Sequence, residues 1–383
     1  MMSEPYGHVF STKSKLLNRD TFIFGAAHGK SRLFFGVNQR LTPMTMSTFC
    51  HWIQIMTNRI ELEKFFLCPV VVQPAGIMSY FVRPSGPAID PESAEPIPPG
   101  NYGWYCDAAC NSRGVPEVTM VPQRQCTFQD HFDEDWLGPQ RAIMDTVPPP
   151  VEKSATARDG PHFRFTTSVE DLALAWIIPP VLARETDDWG FNTDPTPFLV
   201  SANALTMQSD LVFHFHSNHF TVDPDDDYRI LIFYDVVGLQ RILPTYLPRH
   251  PQQDVAADEF LRLHCRYSLS VMIRGGDISE VYSNWSILAA MDELGVVDSG
   301  NGYREEREMA PLSDERWQTE LGQAILAHIM RSGLHGLDKP GRLVSKSTSP
   351  PVPVSRLPSP DCDSNHNDRH GPERNEAALL HDH

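Results

Sequence analysis

Apolar positions along the chain fall into short blocks whose period switches between helical and strand-like spacing. Phe49, Ile53, Met56, Ile60 and Leu62 lie roughly on one helical face, which predicts a helix over 46–66. NYGWYCDA, residues 101–108, is rich in aromatics and follows a Pro-Pro-Gly turn, so it reads as a strand, with 115–123 as its partner. HFRFTTS (162–168) and LALAWIIP (172–179) read as two short strands joined by a turn. SANALTMQSDLVFHF, residues 201–215, carries Ala204, Leu205, Leu211 and Phe215 and reads as a helix with Ser201 as its N-cap. Phe220 and Val222 alternate before Pro-Asp-Asp-Asp, and Tyr228, Ile230 and Ile232 alternate after it; this predicts a hairpin. An amphipathic helix is predicted over 254–274, acidic at its start and stopped by Gly275-Gly276, and a last helix over 314–330.

Prolines punctuate these blocks. Six stand in the nineteen residues 83–101, and a second proline-rich break runs from 147 to 161, so neither stretch belongs to a regular element. Residues 333–383 hold seven prolines and no Phe, Tyr or Trp, which predicts a disordered tail unable to bury a core. The boundaries divide the chain into an N-terminal α+β region (1–157), a patterned centre (158–235), a helical C-terminal extension (236–332) and the tail (333–383).

The formal charge of the 383-residue chain is −17 and no run of basic residues occurs. Phosphate neutralisation supplies most non-specific affinity for nucleic acid, so this balance disfavours duplex binding. No apolar stretch reaches eighteen residues, and MMSEPYGHVF lacks a basic start followed by an apolar block; neither a membrane span nor a secretory signal is expected. The seven scattered cysteines suit reduced thiols in a cytoplasmic or nuclear protein. Cys106 and Cys110 are close, but no second pair stands at zinc-site spacing.

The order of motifs in the centre resembles the HNH-type nuclease-like domain common in fungal genomes. The matching pieces are Arg158-Asp159-Gly160, Phe163 to Thr167, Ala175-Trp176-Ile177-Ile178-Pro179, Trp189 and Asn192. They continue with Asn203 to Val212 and the hairpin Phe220 to Ile230. Looser agreement extends to Pro99-Gly100-Asn101-Tyr102, to Leu261 to Arg266, and to Trp317 to Gly322. The resemblance implies an α+β fold with a ββα-metal core, flanked by an N-terminal β-containing region and C-terminal helices.

It also implies a chemistry, from which this chain departs. In an HNH site a strand His acts as general base on water, a middle Asn orients it, and a helix His holds a divalent ion against the scissile phosphate. Trp176 occupies the base position, and indole has no basic nitrogen. Val212 occupies the metal-His position, His216 the acidic position four residues on, and Phe163 the usual strand Cys. Only Asn203 of the triplet remains. His214, His216 and His219 crowd the end of the expected helix, and His216 with His214 is the candidate displaced metal set.

Three functions follow from these residues. The leading one is a pseudo-nuclease that keeps the scaffold, has lost hydrolysis and serves a binding or regulatory role. Another is an active endonuclease using the displaced histidines with Mg²⁺, Mn²⁺ or Zn²⁺. The third is a protein-interaction module recruiting partners through the proline-rich tail, PPVPVSRLP at 350–358. No nucleotide-binding loop, serine-hydrolase elbow or HExxH motif is present.

Overall fold

The computed structural model describes residues 8–27, 30–57, 65–105, 126–133, 146–159, 171–182, 194–236, 238–247, 255–296 and 309–331. In chain order the elements are α1 (Thr12–Leu16), β1 (Thr21–Ala27), β2 (Lys30–Val37), α2 (Met46–Thr57), β3 (Phe66–Gly76), β4 (Ser79–Pro84) and β5 (Gly100–Tyr105). They continue with α3 (Phe128–Asp133), α4 (Pro149–Asp159), β6 (Leu172–Trp176), β7 (Ala204–Gln208), α5 (Ser209–His216), β8 (Phe220–Asp223) and β9 (Arg229–Ile232). The last four are α6 (Leu239–Ile242), α7 (Val255–Met272), α8 (Asn284–Glu293) and α9 (Glu320–Arg331). The protein is mixed α+β.

Strands β1 to β5 close into a barrel in the order β1-β2-β4-β3-β5, with β5 parallel to β1 and the other pairs antiparallel. Strand alternation sorts their side chains into two cores. Phe22, Phe24, Leu33, Val70, Val72 and Tyr80 cluster on one side of the wall. Ile23, Phe35, Leu67 and Trp104 turn the other way, into the largest core. Helix α2 meets that second face with Phe49, Trp52, Ile53 and Met56, spaced as one apolar stripe.

The same core takes in Leu205, Leu211 and Phe215 from the central segment and Leu261, Cys265 and Leu269 from α7. A third core packs Ile77 and Met78, at the β3–β4 turn, against Ile287 and Met291 of α8, Trp317, and Ile325 and Ile329 of α9. Helix α7 ends as expected before the glycine pair: Gly275 adopts φ +83°, a left-handed conformation that costs glycine little. The close approach continues at Gly276, where a Cβ would sit 2.8 Å from Leu33 Cδ2. Ile273 and Gly275 extend the β2 edge, with Gly36 N donating to Ile273 O and Gly275 N to Phe34 O, each at 2.8 Å.

Six expectations need correction. The proline-rich break at 147–161 holds helix α4, because prolines in a first turn remove only N–H groups that a helix start leaves unbonded anyway. The helix expected over 314–330 is a 3₁₀ turn at Glu315–Gln318 followed, after the extended Thr319, by α9. Of the helix expected over 46–66, Met46–Thr57 is helical, 58–64 lie outside the described residues, and Phe66, its expected last residue, opens β3 instead. The helix expected over 201–215 is three elements: a 3₁₀ turn at Ser201–Asn203, strand β7 and helix α5. Leu205 and Met207 face one way at period two, and pairing with β6 satisfies the backbone that a helix would have bonded internally. Ser201 therefore lies inside the turn rather than capping a helix. Cys68, buried in β3, is disulfide-bonded, whereas Cys50, Cys126 and Cys265 are free thiols; scattered spacing along a chain does not measure separation in space. Residues 101–105 form the expected strand, while 106–108, the partner at 115–123, Cys106, Cys110, the strand at 162–168 and the tail lie outside the described residues.

Candidate functional site

Strand β6, the turn carrying Asn203, strand β7 and helix α5 come together around the Asn203 side chain. It is fully buried and its amide is saturated. Ile178 N donates to Oδ1 at 2.9 Å, and Nδ2 donates to Ile178 O at 2.7 Å and Phe198 O at 2.9 Å. The backbone reinforces this clamp, with Ile177 N donating to Asn203 O at 2.7 Å. One side chain thus fixes both segments that leave the two paired strands.

Trp176 ends β6 opposite Ala204 and is 1% exposed. It packs with Ala155 of α4 and with Ala204, in a cluster apart from the core that receives Leu211 and Phe215 of α5. Arg158 secures α4 there by donating from Nη1 to Ser201 O at 2.8 Å and from Nη2 to Ala204 O at 2.6 Å. The arginine at the head of the central motif is thus a clasp, a role its spacing did not disclose. The position that the resemblance assigns to a general base thus holds a buried indole packed against α4.

The expected displaced histidines on α5 do not come together. Val212 packs, half-buried, on the largest core. His216, at the end of α5, is buried and its Nε2–H donates to Trp176 O at 2.9 Å. Burial holds its pKa below the usual histidine value, against the opposing pull of that carbonyl. His214 is two residues away, about 200° around the helix, and bonds instead to His219, Nδ1 to Nδ1, at 3.0 Å. The candidate pair His214 and His216 is therefore not assembled. Among the described residues no group of three or more His, Cys, Asp and Glu side chains could hold a metal ion.

Two further histidines make contacts that the sequence does not disclose, His51 and His264, the second within the Leu261 to Arg266 stretch matched above. His51 of α2 lies 2.8 Å from the fully buried Asp223 carboxylate; that hydrogen bond raises the His51 pKa. His264 of α7 is buried face to face with Phe215, centroids 3.7 Å apart. Its Nε2–H donates to Phe215 O at 3.2 Å, leaving Nδ1 to accept from Thr221 Oγ1 at 2.8 Å. Desolvation, followed by the nearby His216, pulls its pKa down to about 3.

These shifts set a pH dependence. In the unfolded chain His264 protonates near 6.5, whereas in the fold it stays neutral down to about 3, so acidification through that window favours unfolding. Stability is expected to fall by about 1.4 kcal/mol per pH unit for this one group. His51 works in the opposite sense: its stabilisation is complete below about 6.5 and fades as pH rises through its raised value. Denaturant midpoints from about pH 8 to about pH 4 check this. His51→Gln should abolish the gain in stability that the natural chain makes as pH falls from about 8 toward 6.5, with the slope below that unchanged; a retained gain would contradict the assignment.

Comparison with known proteins finds no matching family model, no matching curated protein and no matching solved structure.

Proposed function

We propose that this protein is a degenerate relative of the HNH-type nuclease-like domain, one that keeps the strand–strand–helix scaffold and lacks the hydrolytic site. The observation that carries the reading is the base position. Trp176 there is buried beneath α4 and offers no lone pair to accept a proton from water. The Asn203 clamp supports retention of the scaffold, since this is the one triplet residue kept and its amide is spent on positioning backbone.

Hydrolysis would need both a base and an ion. Losing a general base costs about 10²–10⁴ in rate. Losing the ion removes several kcal/mol of charge stabilisation, although the two losses need not add. His216 cannot restore the pair while its Nε2–H is held by the Trp176 carbonyl. The remaining role is binding or regulation, and the charge of −17 argues that any grip on duplex DNA is weak. Incubation of supercoiled plasmid with the purified chain and Mg²⁺ is expected to leave it intact. Metal-dependent nicking above a buffer control would overturn the proposal.

A further inference from the structure

The contact between His214 and His219 is built by the way α5 ends. Asn218 takes a left-handed conformation, φ +55°, one residue past Ser217, a placement asparagine tolerates. The chain then folds back, and His219 N donates to His214 O at 2.9 Å. His219 is held from its other side too, because its carbonyl accepts from Phe233 N at 2.7 Å and Tyr234 N at 3.2 Å. The two imidazoles therefore stand with ring centroids 5.2 Å apart and their Nδ1 atoms 3.0 Å apart before any ligand arrives.

We propose that His214 and His219 form a two-nitrogen site for a borderline divalent transition ion, Cu²⁺ above Zn²⁺, on the face of α5 away from Trp176. With metal–nitrogen bonds of about 2.0–2.1 Å, a 3.0 Å separation subtends about 95° at the metal. That is close to the right angle of tetragonal Cu²⁺ and short of the tetrahedral angle preferred by Zn²⁺. Cu²⁺ also stands highest in the general affinity order for nitrogen ligands.

The surroundings favour a cation. The site lies at the carbonyl end of α5, where the helix dipole is negative. Asp130 and Asp210 lie within electrostatic range of His219 and His214 respectively. Phe213 and Tyr234 flank the pair, with Tyr234 edge-on to His219 at 5.1 Å. Both rings are half-buried, and burial is the largest cause that lowers both pKa values, His219 to about 4, so both are neutral at pH 7.

Proton bookkeeping permits the step. In the free pair one Nδ1–H donates to the other Nδ1 lone pair. On binding, that ring passes its Nδ1 proton to solvent and takes one up at Nε2. Two neutral imidazoles then coordinate through Nδ1, with no net proton release. Two protein ligands leave the remaining coordination positions to water or an exogenous ligand.

The test is Cu²⁺ titration of the full chain, followed by calorimetry and electron paramagnetic resonance, beside His214→Gln, His219→Gln and the double variant. The first equivalent bound by the natural chain should show hyperfine coupling to two imidazole nitrogens. Each single variant should lose that two-nitrogen spectrum and bind the equivalent at least about tenfold more weakly, since a direct ligand outweighs the second-shell partners whose loss costs about 10–100-fold. Metal-free thermal unfolding verifies that each variant is folded. Should His219→Gln fail to fold, the more exposed His214→Gln carries the comparison. Equal stoichiometry and affinity in the natural chain and His214→Gln would overturn the site.

Discussion

Arg19→Met is expected to destabilise the protein by about 3–5 kcal/mol, because it removes one partner of a buried ion pair and strands the other. Arg19 and Glu280 side chains are each 1% exposed. Nη1 and Nη2 of Arg19 donate to the two Glu280 oxygens at 2.9 Å and 2.8 Å, and Nη2 also reaches Met272 O at 2.5 Å. Ser11 Oγ adds a hydrogen bond to Glu280 Oε2 at 2.7 Å. These contacts tie the chain around α1 and β1 to the segment that follows α7. Lys13, 3.8 Å from Glu280, is a poor substitute; desolvation lowers its pKa to about 8. Urea unfolding checks the loss, and the double variant Arg19→Met/Glu280→Leu should recover most of it by removing both charges. A single-variant effect below about 1 kcal/mol would show that the pair is solvated.

Asn203→Ala should cost a comparable amount for a different reason. Two buried backbone groups, Ile178 N and Ile178 O, and the part-buried Phe198 O would lose their partner together. Each buried group left unsatisfied costs about 1–3 kcal/mol, so about 3–5 kcal/mol is expected after partial relaxation. Asn203→Asp should be no better, since a carboxylate cannot donate to the two carbonyls. Chemical denaturation with amide hydrogen exchange at Ile178 reads both consequences. Retained protection at Ile178 in the alanine variant would contradict the clamp.

Elements whose signal is local were legible in the sequence. The α7 stripe and its glycine stop needed only neighbours within a few turns, and the β8–β9 hairpin needed only alternation around an acidic turn. The barrel was not legible, because its closure pairs Thr21 with Gly100, and no pattern near either residue reports the other. Strand β7 reads as helix in the sequence because Ala204 and Leu205 fit a helical period as well as a strand. At the candidate site, residue types revealed what Trp176 and Val212 cannot do. They did not reveal that α4 covers the indole, nor which way the His216 ring turns. Those facts depend on Arg158 reaching Ser201 and Ala204, and on Trp176 O lying at the end of α5.

Plasmid nicking measures the proposed absence of hydrolysis most directly. The full chain, purified free of contaminating nuclease, is incubated with supercoiled DNA and Mn²⁺, with and without chelator, beside His216→Ala. The expected result is the same low background in all arms, because neither Trp176 nor Val212 can supply a base or a ligand. Chelator-sensitive nicking by the natural chain that His216→Ala abolishes would contradict the account and establish a working site built on the displaced histidine.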